Sequence, residues 1–271
     1  MIGREPAAHG SLLFLAVVGV AACGPAPDKY APQSADAEEI ARGISRGFGL
    51  TSAFIQAGAI QTTQPAGSAV QALKLRAGTE TNNCATVVIN GLVVSATFDG
   101  NGATGCKLAS VGLTVGGSVD VTVSGGMGSD ILLSFNMHLT VDGKALSGYV
   151  TASTSDGNQY KYGTSKLGWD GGATATVPKL TAGYDTIQTT VSGVGTMTGR
   201  SGTDLKLQLD SVETAFADCY PDGGDVVISL PTGDVVVSFT EPGARSGVAV
   251  IGDPTASTIF TQLPARTNCP R

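Results

Sequence analysis

From about Ser68 onward, apolar side chains recur at every second position. Val119, Val121 and Val123 alternate with Ser118, Asp120, Thr122 and Ser124, and Ile131, Leu133, Phe135, Met137, Leu139 and Val141 alternate mainly with Ser134, Asn136, His138 and Thr140. A period of two places successive side chains on opposite faces of an extended strand, so one face can be buried while the other stays wet. The same alternation runs through Leu146 to Ala152, Leu205 to Leu209, Val226 to Leu230 and Val235 to Phe239. Turn residues separate these runs: Gly125-Gly126-Met127-Gly128, Asp142-Gly143, Asp156-Gly157-Asn158 and Pro231-Thr232-Gly233-Asp234. Strand, tight turn and strand in succession make an antiparallel meander. A parallel sheet would need long crossovers, usually helical, between its strands, and the spacing leaves no room for them.

One helix is expected ahead of the strands. Asp36-Ala37-Glu38-Glu39 fits a capping box, and Ile40, Ile44, Phe48, Phe54 and Ile55 follow at helical spacing, which predicts two to four turns within 39–54. Gly43, Gly47 and Gly49 each cost roughly 1 kcal/mol against Ala in a helix interior, so this helix needs a sheet to pack on. The expected fold is mainly β: an antiparallel meander forming a sandwich or a curved, half-barrel-like sheet, with one short N-terminal helix packed on it. Cys84 leads into Val87-Val88-Ile89, a Gly91 turn and Val93-Val94; Cys219 leads into Val226-Val227-Ile228, a Gly233 turn and Val236-Val237. The echo divides the chain into a helix plus first β-unit over 38–182 and a second β-unit over 183–271, with a single continuous β-domain over 68–271 as the alternative.

The N-terminus carries a different signal. Arg4 precedes the apolar run Ser11 to Val20, and small residues follow at once, the order of an export signal. The run is too short for a permanent membrane helix, which needs about 20 apolar residues. Val20-Ala21-Ala22-Cys23 resembles the bacterial lipobox. The resemblance implies that residues 1–22 are removed and that Cys23 carries acyl chains, including a thioether-linked diacylglycerol and palmitate. Gly24, rather than Asp, after the cysteine implies the outer membrane in a Gram-negative cell. Residues 23–37, rich in Pro, Ala and polar side chains, read as a flexible tether.

Cys84, Cys106, Cys219 and Cys269 remain, an even number in an oxidising compartment, so disulfides are expected. Three connectivities exist; Cys84 with Cys106 and Cys219 with Cys269 are favoured because each pair brackets one hairpin-rich segment. Zinc is the rival use, but no C-x-x-C spacing occurs and His138 is the one histidine after Cys23.

Charged residues make up 14% of the chain, which holds 38 glycines and has a formal net charge of −6. Without a Lys/Arg cluster this argues against nucleic acid, whose binding depends on neutralising phosphates. Reactive groups are sparse. His138 sits among polar-face strand residues and has no nucleophile elbow to serve. The aspartates concentrate in turns, where the side chain bonds local backbone, and Asp99/Asn101 and Asp156/Asn158 resemble calcium loops but lack the closing bidentate Glu. No catalytic residue, cofactor or metal ligand is assigned. Tyr160, Tyr162 and Trp169 form the densest aromatic cluster; on a polar sheet face such rings could hold a sugar or anchor a protein.

Phe98-Asp99-Gly100-Asn101-Gly102 through Cys106, then Val115-Gly116-Gly117-Ser118-Val119, then Phe135 to Gly148 with its Val141-Asp142-Gly143-Lys144 turn, resemble a group of uncharacterised bacterial lipoproteins. Those share a Phe-Gly-x-Gly-Cys-like turn, a glycine-flanked strand start and a Val-Asp-Gly-Lys hairpin. The likeness covers about a third of the chain, and Ala103-Thr104-Gly105 inserted before Cys106 departs from it. It implies fold and compartment and brings no activity. The expected role is a lipid-anchored, noncatalytic envelope module that is structural or binds a protein or glycan. The alternatives are a carrier of an apolar ligand between sheet and helix and an exported hydrolase.

Overall fold

In the computed structural model, residues 31–55, 58–100, 105–184, 188–215, 220–239, 248–253 and 256–262 are described. Two helices come first, α1 (Ala31–Phe54) and α2 (Ala66–Glu80). Fourteen strands follow: β1 (Thr86–Asn90), β2 (Val93–Phe98), β3 (Cys106–Lys107), β4 (Thr114–Gly126), β5 (Ser129–Val141), β6 (Lys144–Thr154), β7 (Lys161–Trp169), β8 (Thr174–Tyr184), β9 (Gln188–Thr198), β10 (Asp204–Ala215), β11 (Gly223–Leu230), β12 (Gly233–Ser238), β13 (Val248–Asp253) and β14 (Ala256–Gln262). They make one open antiparallel sheet in which chain neighbours are sheet neighbours from β4 to β14; β2 and the short β3 both pair with β4.

The alternation does what a period of two requires. Val119, Val121 and Val123, and Ile131, Leu133, Phe135, Met137, Leu139 and Val141, are buried, while Thr122, Ser124, Leu132, His138 and Thr140 face solvent. Asp142 and Gly143 join β5 to β6 with φ of 50° and 81°, the two positive values a type I′ hairpin demands. The two hairpins of the sequence echo are β1–β2 and β11–β12. Gly183 lies inside β8 opposite Thr190 of β9, so the sheet runs unbroken through that point.

α1 departs from expectation in length and surroundings. It has 24 residues, more than six turns and roughly 36 Å, and it begins at Ala31, inside the segment expected to be tether. Every residue from Ser34 to Thr51 is buried, and α1 touches β6 through β12 and β14, so the sheet bends around the helix. Gly43 and Gly47 permit this approach: a Cβ on Gly47 would lie 2.8 Å from Leu167 Cδ2, and one on Gly43 3.3 Å from Trp169 Cβ. The glycines that weaken the isolated helix are therefore its contact face with β7. Full burial of Ile40, Ile44 and Leu50, at about 1.5–3 kcal/mol each, offsets their cost.

α2 corrects the reading that alternation starts at Ser68. Leu73-Lys74-Leu75-Arg76 alternates by chance; wound into a helix, Leu73 is buried with Ala69, Val70 and Ala77 against the sheet, whereas Leu75 is 72% exposed. The α1–α2 connection is held on the β4–β5 and β6–β7 turns, where the Gly58 N–H donates to the Gly157 carbonyl at 2.9 Å and the Met127 N–H to the Gln64 carbonyl at 3.1 Å. The buried Glu80 carboxylate closes the far end of α2, accepting from the Ser110 N–H at 2.6 Å and pairing with Arg76 at 3.1 Å.

Cys84 and Cys106 form a disulfide across 22 residues, closing the β1–β2 hairpin into a loop as the spacing suggested. Loop-closure entropy of that length is worth about 3 kcal/mol. Cys84→Ser/Cys106→Ser is expected to lower the urea midpoint accordingly, and a midpoint equal to that of wild type under oxidising conditions would contradict it. Cys219 and Cys269 lie outside the described residues.

Candidate functional site

The aromatic cluster faces inward, not onto the polar sheet face. Trp169, the last residue of β7, is 2% exposed and stacks under the Arg42 guanidinium, 5.4 Å from the ring centroid. Tyr162 meets Phe48 of α1 edge-on at 4.7 Å, and Tyr160 lies 6.3 Å from Tyr162. Strict alternation would put Tyr162 and Trp169, seven positions apart, on opposite faces; the extra residue that β7 carries between Thr164 and Leu167 breaks the parity. Burial pushes the Tyr160 phenol up to about 12, with Tyr162 and Asp156 adding to the shift, and burial raises Tyr162 as well.

His138 stands on the outer face of β5 between Ser118 and Ser147. The turn aspartates serve their turns: the Asp142 carboxylate accepts from the Thr114 N–H at 3.0 Å, Asp170 pairs with Lys144 at 2.9 Å, and Asp156 accepts from the Asn158 and Gln159 N–H groups at 2.8 and 2.9 Å. Those two backbone donors hold the Asp156 carboxyl below its ordinary value. Among the described residues no group of three or more His, Cys, Asp and Glu side chains is arranged to hold a metal. Cys23 and the calcium-like Asn101 lie outside the described residues.

The concentration of charge lies along α1, where the sequence offered Asp36 to Glu39 as a capping box. Asp36, Glu38, Glu39, Arg42 and Arg46 are all buried inside the bend of the sheet. The Arg42 guanidinium donates to the Glu38 carboxylate one helical turn earlier at 3.2 Å. Arg200, in the β9–β10 turn, reaches in from the rim to pair with Glu39, and its Nη1 lies 3.8 Å from Asp36. Ser45 and Thr189 share a hydrogen bond farther along. Asp36 is thus not the cap of a helix starting there but a mid-helix partner of a residue far away in the chain. Three carboxylates and three guanidinium groups, Arg46 among the latter, balance in formal charge, as burial of this many charges requires. Glu38 and Arg42, four apart, were the one signal in the sequence, and they read equally well as a solvated ion pair.

Burial raises the pKa of Asp36, against the pull of Arg200. The folded chain therefore binds that proton more tightly than the unfolded chain, so Asp36 supports folding fully below its ordinary value and withdraws that support as pH rises through the raised one. Asp36→Asn should gain melting temperature relative to wild type as pH goes from acidic to neutral. Parallel melting curves across that range would refute the assignment.

Two solvent-open clefts flank α2 among the described residues. A cleft of about 330 Å³ lies between Phe54, Ile60, Leu73, Leu75 and Arg76, and a groove of about 380 Å³ lies between Lys74, Leu75 and Thr79 of α2 and Asn83, Ala85 and Val87 beside it. Under α2 the space left against Val94, Ala96, Val119 and Val121 is about 10 Å³, room for at most a single water.

No family model, curated protein or solved structure matches the chain. No helix among the described residues is long and apolar enough to cross a membrane.

Proposed function

We propose that this protein is a lipid-anchored module of the bacterial cell envelope, acylated at Cys23 in the outer membrane, and that it works by binding or by structural support rather than by catalysis. The observation that carries this reading is the interior of the bend: α1 fills it, Glu38 pairing with Arg42 and Glu39 with Arg200. A half-barrel occupied by its own helix is a rigid body whose surfaces, not its hollow, meet other molecules. A carrier would need space between helix and sheet, and the packing under α2 argues against that alternative. The outer face, with Thr122, Ser124, His138, Thr140, Ser147 and Ser165 exposed, suits an aqueous compartment.

The anchor gives the module an orientation. Seven residues lie between Cys23 and Ala31, eight Cα-to-Cα steps that span at most roughly 29 Å. The end of α1 nearest Cys23 lies beside Arg200, so the rim bearing the β9–β10 turn is the part of the module closest along the chain to the anchor. Two or three acyl chains, at about 0.8 kcal/mol per buried methylene, hold it there. Mass spectrometry of protein purified from cell membranes is expected to find a chain starting at acylated Cys23, and Cys23→Ser should move the protein into the aqueous fraction. Wild-type protein with an unmodified cysteine in the aqueous fraction would overturn the proposal.

A further inference from the structure

We propose that the edge of β1, together with the groove beside α2, receives an extended acidic segment of a partner protein as an added strand. This names the partner class for the binding reading above and rests on that reading.

The edge is open. Among the described residues β1 pairs with β2 on one side and with nothing on the other. Asn90 and Val93 flank a two-residue hairpin turn with Gly91 at positive φ, so they exchange both ladder hydrogen bonds; counting back by twos, Val87 and Ile89 direct their N–H and C=O groups outward. Edge strands are ordinarily blunted by a charge, a proline or a bulge. β1 reads Thr-Val-Val-Ile-Asn, pairs with β2 in unbroken register and has none of these.

The groove supplies specificity. Val87 and Ile89 share the α2 side of the sheet with Val94 and Ala96, their partners on β2. A strand added about 4.8 Å beyond β1 would lie along the groove formed by Leu75, Thr79 and Val87, with every second side chain turned into it. Leu75, Val88 and Leu92 are 72, 58 and 45% exposed and offer apolar contact on both sides of that strand. The charge is one-sided. Lys74 lines the groove and makes no ion pair among the described residues, Arg76 lines the adjoining cleft, and the nearby carboxylate, Glu80, is buried on Arg76 and Ser110. The occupant that fits is extended, apolar at alternate positions and acidic, held by main-chain hydrogen bonds as in other strand-addition complexes.

The test uses the mature full chain in detergent micelles and a random peptide library displayed on phage, followed by fluorescence anisotropy of the enriched peptides. Enriched sequences should alternate apolar and polar residues and contain Asp or Glu. Lys74→Glu should weaken binding by about tenfold, and Ile89→Pro, which removes an outward N–H and no ladder bond, should abolish it with the circular dichroism of wild type. Should Ile89→Pro misfold, the same peptides N-methylated along the pairing edge must fail to bind wild type. An unenriched library, enriched peptides without acidic residues, binding indifferent to Ile89→Pro or to N-methylation, or sedimentation showing that a second copy occupies the edge would each overturn the proposal. Acylation at Cys23 is read separately, so failure of the anchor and failure of the edge are distinguishable.

Discussion

Arg42→Leu is expected to lower the unfolding free energy by about 3–5 kcal/mol, because it removes the guanidinium that pairs with the Glu38 carboxylate in a site with no exposure to solvent. The loss should appear as a lower urea midpoint at an unchanged slope. Glu38→Leu/Arg42→Leu should recover most of it, since an ion pair in the interior has offset its own desolvation and little more. The cycle separates two accounts of α1. If its charges were solvated, each single substitution would cost under about 1 kcal/mol and the double variant would simply sum them.

Trp169→Ala is the second large effect, also about 3–5 kcal/mol, because it removes the largest side chain packed on Gly43 and the ring beneath Arg42. Trp169 is the sole tryptophan, so wild-type fluorescence reads this site directly: emission should be blue-shifted and resistant to iodide until the sheet unfolds. An exposed binding aromatic would give the opposite spectrum, and its removal would leave stability within about 0.5 kcal/mol.

The legible part of the fold was the part built from β-branched and long apolar residues. Ile131 through Val141 show their period because each inward side chain is large, and Asp142-Gly143 fixes its turn through backbone chemistry alone. The Cys84–Cys106 bridge followed from local spacing. α2 escaped notice because alanines supply much of its buried stripe and Leu73 to Arg76 mimics a strand. The length of α1 was hidden for a different reason. A helix buried at every residue from Ser34 to Thr51 has no polar face to give it periodicity, and its charges belong to an interior whose partner, Arg200, comes from a distant turn. Trp169 was misplaced because bulges in β7 cannot be counted from the sequence.

The enclosed helix also dictates the order of events as the chain becomes a protein. α1 leaves the ribosome ahead of every strand, yet Ser45 meets Thr189 across 144 positions and Glu39 meets Arg200 across 161. Contacts so remote in sequence form late and slow the search. Until they form, α1 has bare charges, destabilising glycines and no shelter, so its winding and the closing of the last hairpins must coincide in one cooperative step.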